Sequence, residues 1–188
     1  MNNLLNKKIL MIICGGISAY KCLEIIRGLK KSNAQIKTIL TKSAKEFVTP
    51  LSISSLSQEK VYEDIFSIEN ESEMDHISLS RWADLILVAP ATANTISKLS
   101  SGSADDLAST TILASDKEIY LVPAMNVRMW EHPSTKANQA LTFLASGQIP
   151  PNSNSYSELN IKKSEMITFR NQTIIGLLLL VIAGLLVF

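Results

Sequence analysis

Short apolar runs alternate along this chain with longer stretches whose apolar residues recur every three or four positions. Ile9–Ile13 is a β-branched run that closes at Gly15-Gly16, and Ser18–Lys31 then carries Leu23, Ile26 and Leu29 at helical spacing. Gln35–Leu40 reads as a second strand. Ser43–Val48 reads as the first turns of a helix stopped near Pro50, with Leu51–Leu56 continuing helically beyond it. The polar, acidic stretch "EDIFSIENESEMD" predicts a surface loop. Asp84–Ala89 predicts a buried strand, Thr92–Leu99 and Asp105–Ala114 helices, Ile119–Val122 a strand and Pro133–Ser146 a last helix. Strands alternating with helices predict βαβ units, hence an α/β fold built on a three-layer, doubly wound parallel sheet.

The pattern changes near Gly147. Residues 7–147 carry the alternation and form the predicted domain; residues 148–172 are polar, with Pro-Pro, Asn and Ser, and read as a linker. Residues 173–188 form an apolar tail, uncharged from Ile174 to Phe188. At about 1.5 Å per residue this run is somewhat short of a bilayer core of about 30 Å. It reads either as a membrane segment inserting with local thinning, Arg170 at the interface, or as an apolar tail with no selected role.

With 188 residues there is room for one ordinary domain with a proper core. Lys plus Arg (18) and Asp plus Glu (17) nearly cancel, so no strong field favours nucleic acid. Only two cysteines, Cys14 and Cys22, are present, and the first apolar run is too short for a signal peptide. Both features predict reduced thiols in a cytoplasm.

In a doubly wound sheet, ligands bind beyond the carboxyl ends of the strands, and several unusual segments fall there. Cys14-Gly15-Gly16-Ile17-Ser18 joins strand one to helix one. Glycines there admit a close backbone approach and a helix start offers unpaired N–H groups to a phosphate, although Ser18 would also serve simply as an N-cap. Thr41 and Ser43 either bond a phosphate or cap a helix. Thr92 and Asn94 bring a hydroxyl and an amide to another helix start, suited to a flat heteroaromatic or a ribityl chain, or again to capping. Asp105-Asp106 reads as a solvated helix start. Asn126, followed by Met129-Trp130 and bounded by Pro123 and Pro133, predicts an ordered loop with an apolar lid and one amide. His76 alone would more often be a surface or helix-end residue than a catalyst, and His132, beside Pro133, reads as structural. No metal-ligand spacing is present.

"GGISAYK" at 15–21, "DHISLSRWADLILVAPATANTISKLSSGSADDL" at 75–107 and "VPAMNVRMWEHPSTKAN" at 122–138 together resemble the FMN-dependent cysteine decarboxylases, in particular their phosphopantothenoylcysteine branch. The resemblance covers about residues 7–147. It implies a Rossmann-like flavoprotein fold, FMN as cofactor, a small-molecule substrate ending in cysteine, and trimers or assemblies of trimers with active sites between subunits. It further implies that Gly16, Ile17, Ser18 and Ser43 line the flavin site with Pro90, Ala91, Thr92, Ala93 and Asn94. His76 matches the family's active-site histidine, and Asn126 the asparagine that grips the substrate carboxylate, with Met129 beside it. In that chemistry, oxidation of the substrate thiol creates the electron sink that lets CO₂ leave.

Members that make phosphopantetheine carry a downstream flap with a cysteine in an ACGxxGxGR-like segment; here the corresponding stretch is "QIPPNSNSYSELN". The ligase half of the bifunctional members also has no counterpart in this sequence, which implies a separate phosphopantothenate–cysteine ligase as partner. Three readings therefore stand: decarboxylation of phosphopantothenoylcysteine, incomplete if the reductive step needs that cysteine; oxidative decarboxylation of a peptidyl cysteine; or an FMN-binding regulatory or inactive homologue, like the members that inhibit a phosphatase.

Overall fold

The computed structural model describes residues 4–64 and 75–145. Five parallel strands form one sheet: β1 (Lys8–Ile13), β2 (Gln35–Leu40), β3 (Val61–Tyr62), β4 (Leu85–Ala91) and β5 (Glu118–Pro123). Their order is β3-β2-β1-β4-β5, so the chain winds outward from β1 in one direction and then crosses to β4 in the other. β1 pairs with β2 from Lys8↔Gln35 to Ile13↔Leu40, and with β4 from Ile9↔Leu85 to Ile12↔Val88. The reversal of order lies between β1 and β4, and a crevice opens at such a point beyond the carboxyl ends of the strands.

Side-chain alternation divides β1 between two cores, as a sheet covered on both faces requires. Ile9, Met11 and Ile13 pack with Ile25, Ile26 and Leu29 of α1 (Cys22–Lys31) and with Ile53 of α2 (Pro50–Ser57). Leu10, Ile12 and Cys14 face the other way. They join Leu79 of α3 (Asp75–Trp82), Ile96 and Leu99 of α4 (Ala93–Ser101), and Leu107 and Ile112 of α5 (Leu107–Leu113). The short α6 (Val127–Glu131) and the long α7 (Pro133–Ala145) complete the described chain.

The structure redraws several predicted elements. Ser18–Lys31 is not one helix: a 3-10 turn at Ile17–Lys21 precedes α1. That turn starts directly after Gly16, whose carbonyl accepts from the Ala19 N–H at 2.9 Å, so Ser18 sits inside the turn and is not its N-cap. Ser43–Val48 reduces to a 3-10 turn at Lys42–Glu46. Pro50 begins α2 instead of stopping a helix; at the first helical position its missing N–H costs nothing, and Thr49 caps the turn by accepting from Ser52 N. β3 and α3 are elements the periodicity did not announce. Among the described residues no helix is long and apolar enough to cross a membrane, and residues 148–188, with the predicted linker and tail, lie outside them.

Candidate functional site

Three loops meet at the carboxyl edge of the sheet. Gly15 lies so close to the β2 loop that an added Cβ would stand 2.5 Å from both Cβ and Oγ of Ser43 and 2.8 Å from its carbonyl carbon. Only a residue without a side chain brings these loops to that separation. A Cβ on Gly16 would meet Thr92 Cγ2 at 3.8 Å and Pro90 Cγ at 3.9 Å, an ordinary contact. The first loop is therefore flanked by Ser43 on one side and by Pro90 and Thr92 on the other. Thr41 lines the cleft beside these loops, but its side chain does not cap the turn that follows: its N–H and hydroxyl both donate to the Ile13 carbonyl, at 3.1 and 3.2 Å, and tie the end of β2 to that of β1.

A cleft of about 720 Å³ opens beside these loops. Ser43, Thr92 and Asn94 line it, as does the α5 start from Asp105 to Ser109. Gly16, Ile17, Ser18, Pro90, Ala91 and Ala93 are adjacent in the loops but do not form its wall. Thr92 is the N-cap of α4, accepting from Thr95 N at 3.2 Å, which leaves the exposed Asn94 amide free of that duty. β4 slips in register against β5 between Val88 and Ala91, where Pro90 supplies no N–H to the ladder.

The charges of the cleft escape a sequence reading. Lys98 Nζ sits 2.8 Å from Asp105 Oδ1 and 2.7 Å from Asp106 Oδ2, joining α4 to the α5 start. Asp106 also caps α5 in a reciprocal box with Ser109. The hydrogen bond from Lys98 pulls the Asp105 carboxyl below its usual range. Burial acts to raise the Asp106 carboxyl, but the Lys98 ammonium and the Ser109 N–H and hydroxyl outweigh it and hold that group low too. Its hydrogen bonds to Asp105 and then Asp106 hold the Lys98 ammonium up. Across the opening, Glu63 pairs with Lys45, whose ammonium that hydrogen bond raises. Lys42, Glu46, Glu63 and Asp64 complete the polar rim. Among the described residues no group of His, Cys, Asp or Glu side chains could hold a metal ion.

Asn126, Met129 and His76 stand outside the cleft wall. The Ala124 N–H donates to the Ala91 carbonyl at 3.0 Å, which fixes the β5 exit beside the β4 exit and sets Asn126 two residues further on. The predicted loop after Asn126 is the helix α6, capped by Asn126 itself: its Oδ1 accepts from Arg128 N at 2.8 Å. This leaves the exposed amide with its NH₂ as the outward group, a pure donor. Met129 is 48% and Trp130 39% exposed. His76 is the second residue of α3, half-buried. A helix returning from β3 to a parallel β4 begins at the carboxyl edge, so His76 shares the edge of the three loops. His132 Nδ1 accepts from Ser134 N at 3.2 Å, at the start of α7.

The two cysteines are not nucleophiles. Burial pushes Cys14 up to about 11 and Cys22 to about 12, and both are free thiols.

The flavoprotein family model matches residues 1–165. The coenzyme A biosynthesis bifunctional protein CoaBC of Bacillus subtilis is 44% identical over 138 residues, 73% of this chain and 34% of that protein. Its Escherichia coli counterpart is 40% identical over 144 residues, 77% of this chain and 35% of that one. The chain thus spans about a third of the length of these curated relatives. Among solved structures, the FMN-dependent cysteine decarboxylase SpaF superposes with a TM-score of 0.71 at 28% identity, covering 77% of this chain and 83% of that one. A variant PPC decarboxylase complexed with pantothenoylaminoethenethiol gives 0.64 at 29% identity, covering 78% and 83%. With the family match spanning most of its length, the chain belongs to the flavoprotein family.

Proposed function

We propose that this chain, with FMN, decarboxylates 4'-phosphopantothenoylcysteine toward 4'-phosphopantetheine in coenzyme A biosynthesis. The observation that carries the reading is the meeting of the Gly15-Gly16, Ser43 and Thr92–Asn94 loops at the sheet's point of reversal, with the Asn126 segment tied alongside through Ala91. The residues fit a flavin mononucleotide: the missing Cβ at Gly15 lets the first loop close against Ser43, and a cleft of about 720 Å³ beside them is of ligand-site size. Gly16, Ile17, Ser18 and Ser43 would hold it from one side, and Pro90, Ala91, Thr92, Ala93 and Asn94 from the other. FMN, when bound, supplies a two-electron acceptor for the substrate's thiol, and that oxidation gives the departing CO₂ an electron sink.

The chain's own residues bind, orient and move a proton. The Asn126 NH₂, turned outward by the cap, donates to the substrate carboxylate without changing charge. Met129 lies beside it and covers the cysteine moiety. His76, whose ring carries both a donor and an acceptor nitrogen, moves the proton. Cys14 and Cys22, buried and high in pKa, take no part in the reductive half of the reaction.

The names of the relatives, drawn from coenzyme A biosynthesis, favour phosphopantothenoylcysteine over a peptidyl cysteine as substrate and over a purely regulatory role. The reading includes a cytoplasmic trimer, which the exposed apolar side chains of α6 support: Val127 is 66% exposed beside Met129 and Trp130. A phosphopantothenate–cysteine ligase supplies the substrate.

The test is a visible spectrum of the purified full chain after incubation with FMN, followed by addition of phosphopantothenoylcysteine with CO₂ and product mass recorded. A bound-flavin spectrum with CO₂ release supports the reading. Within it, a product two hydrogens lighter than phosphopantetheine marks arrest after the oxidative half. Bound flavin without CO₂ would reduce the protein to a binding subunit, and an unchanged FMN spectrum would overturn the reading altogether.

A further inference from the structure

The Pro90–Asn94 segment, which ends β4 and begins α4, is held at its entry by Cys22. Cys22, the first residue of α1 and 2% exposed, directs its thiol across to β4: Sγ–H donates to the Ala89 carbonyl, with S···O 3.0 Å. That carbonyl belongs to the peptide preceding Pro90. The following nitrogen is a proline's, and the register of β4 against β5 slips there, so the ladder is irregular at this point. Cys14, at the end of β1, is buried in the opposite core with Ala91 and Ile96. The Cys22 thiol therefore fastens the entry of the segment.

We propose that Cys22 is a positioning residue for the flavin: it acts through the Ala89 carbonyl to fix Pro90–Asn94 in the arrangement that meets the cofactor. The inference rests on the proposed FMN site and deepens it. Gly16 faces Pro90 and Thr92, so a shift of Pro90 widens the gap between the first loop and the third. The thiol is suited to this task because it is inert there. Loss of the donor removes one hydrogen bond to that carbonyl, and a neutral hydrogen bond of about 1 kcal/mol corresponds to about fivefold in an equilibrium constant.

The experiment compares the full chain with Cys22→Ala and Cys22→Ser, measuring the FMN dissociation constant by fluorescence quenching and the melting temperature without FMN. The expected result is FMN bound about fivefold more weakly by Cys22→Ala, with Cys22→Ser, which restores a donor, returning to within about twofold of the parent. If both variants lose melting temperature alike while their folded fractions bind FMN as the parent does, Cys22 only fills space and the inference is overturned. If the parent itself binds no FMN, the flavin reading fails together with it, a result distinct from parental binding with unaltered variants.

Discussion

Lys98 and Asp106 join α4 to the start of α5 beside the cleft, Nζ to Oδ2 2.7 Å, and the same carboxylate accepts from Ser109 N at 2.8 Å to cap α5. One side chain thus performs two tasks, and substitution separates them. Asp106→Asn keeps a capping oxygen and loses the charge, whereas Asp106→Ala loses both. A lost cap costs about 1 kcal/mol, and a partly exposed ion pair less than about 1 kcal/mol. A carboxyl whose folded pKa is depressed stabilises the fold above its unfolded value of about 4, and that stability disappears as pH falls through the folded pKa. Melting curves from pH 7 down to pH 3 should therefore fall less steeply for Asp106→Asn than for the parent. Equal slopes would count against the ion pair.

Gly15 and Gly16 should respond differently to alanine. At Gly15 the new Cβ meets Ser43 at 2.5 Å, with backbone among the nearest atoms, so the two loops must part. Overpacking of this kind costs about 1–3 kcal/mol, and FMN affinity should fall by about fivefold to about a hundredfold by the corresponding constants. At Gly16 the nearest atoms stand at 3.8 and 3.9 Å, so Gly16→Ala should melt like the parent. If it nevertheless binds FMN more weakly, the ligand needs the space of that missing Cβ; unchanged binding would remove Gly16 from the site.

Much of this arrangement is legible in the sequence, because a strand exit announces itself. Apolar runs that stop at Gly15-Gly16, at Pro90–Asn94 and at Pro123–Asn126 mark the carboxyl ends of three strands, and a doubly wound sheet brings such ends together. Gln35–Leu40 reads as a strand with its observed bounds. What escapes is short or long-range. β3 is two residues, and α3 buries Asp75 and Ser80 beside Leu79, so neither carries a clean period. The five-residue α6 reads as a loop until Asn126 is seen to cap it. Lys98 and its carboxylates are seven and eight positions apart across a helix end, where nothing in the sequence distinguishes a pair in a cleft from separate solvated charges.

Thr92 offers a test of how far capping and cofactor binding overlap. Its hydroxyl accepts from Thr95 N and stands 3.0 Å from Thr95 Oγ1. Thr92→Ala should cost about 1 kcal/mol of stability through the cap, and weaken FMN further if the hydroxyl also reaches the flavin. Thr92→Ser, which keeps the hydroxyl, should match the parent on both counts. A melting temperature unaffected by alanine would show that α4 does not depend on this cap.

The two thiols should be silent in the native protein. Burial leaves Cys14 1% and Cys22 2% exposed and lifts their pKa values to about 11 and 12, so almost no thiolate exists at pH 8. A thiol-reactive dye should label neither in the folded chain and both in denaturant. Rapid labelling of one thiol under native conditions would mean that the loops around it open, which the buried Cys22–Ala89 hydrogen bond opposes.

Asn126 has two tasks that a single substitution can also divide. Its Oδ1 caps α6 by accepting from Arg128 N, and the proposed contact with the substrate carboxylate uses the opposite, donating end. Aspartate caps a helix as well as asparagine does, so Asn126→Asp should fold and melt like the parent. The substitution would, however, set one carboxylate against another and remove the donor. A hydrogen bond to a charged group contributes about 1.5–3 kcal/mol, so decarboxylation should fall by roughly ten- to a hundredfold from its loss alone, and further from repulsion. FMN binding should be unaffected, and the yellow protein should remain. His76→Ala should likewise keep its flavin and lose CO₂ release; loss of FMN would instead assign His76 to binding. Retained activity in Asn126→Asp would show that the amide serves α6 alone and that the carboxylate is gripped elsewhere.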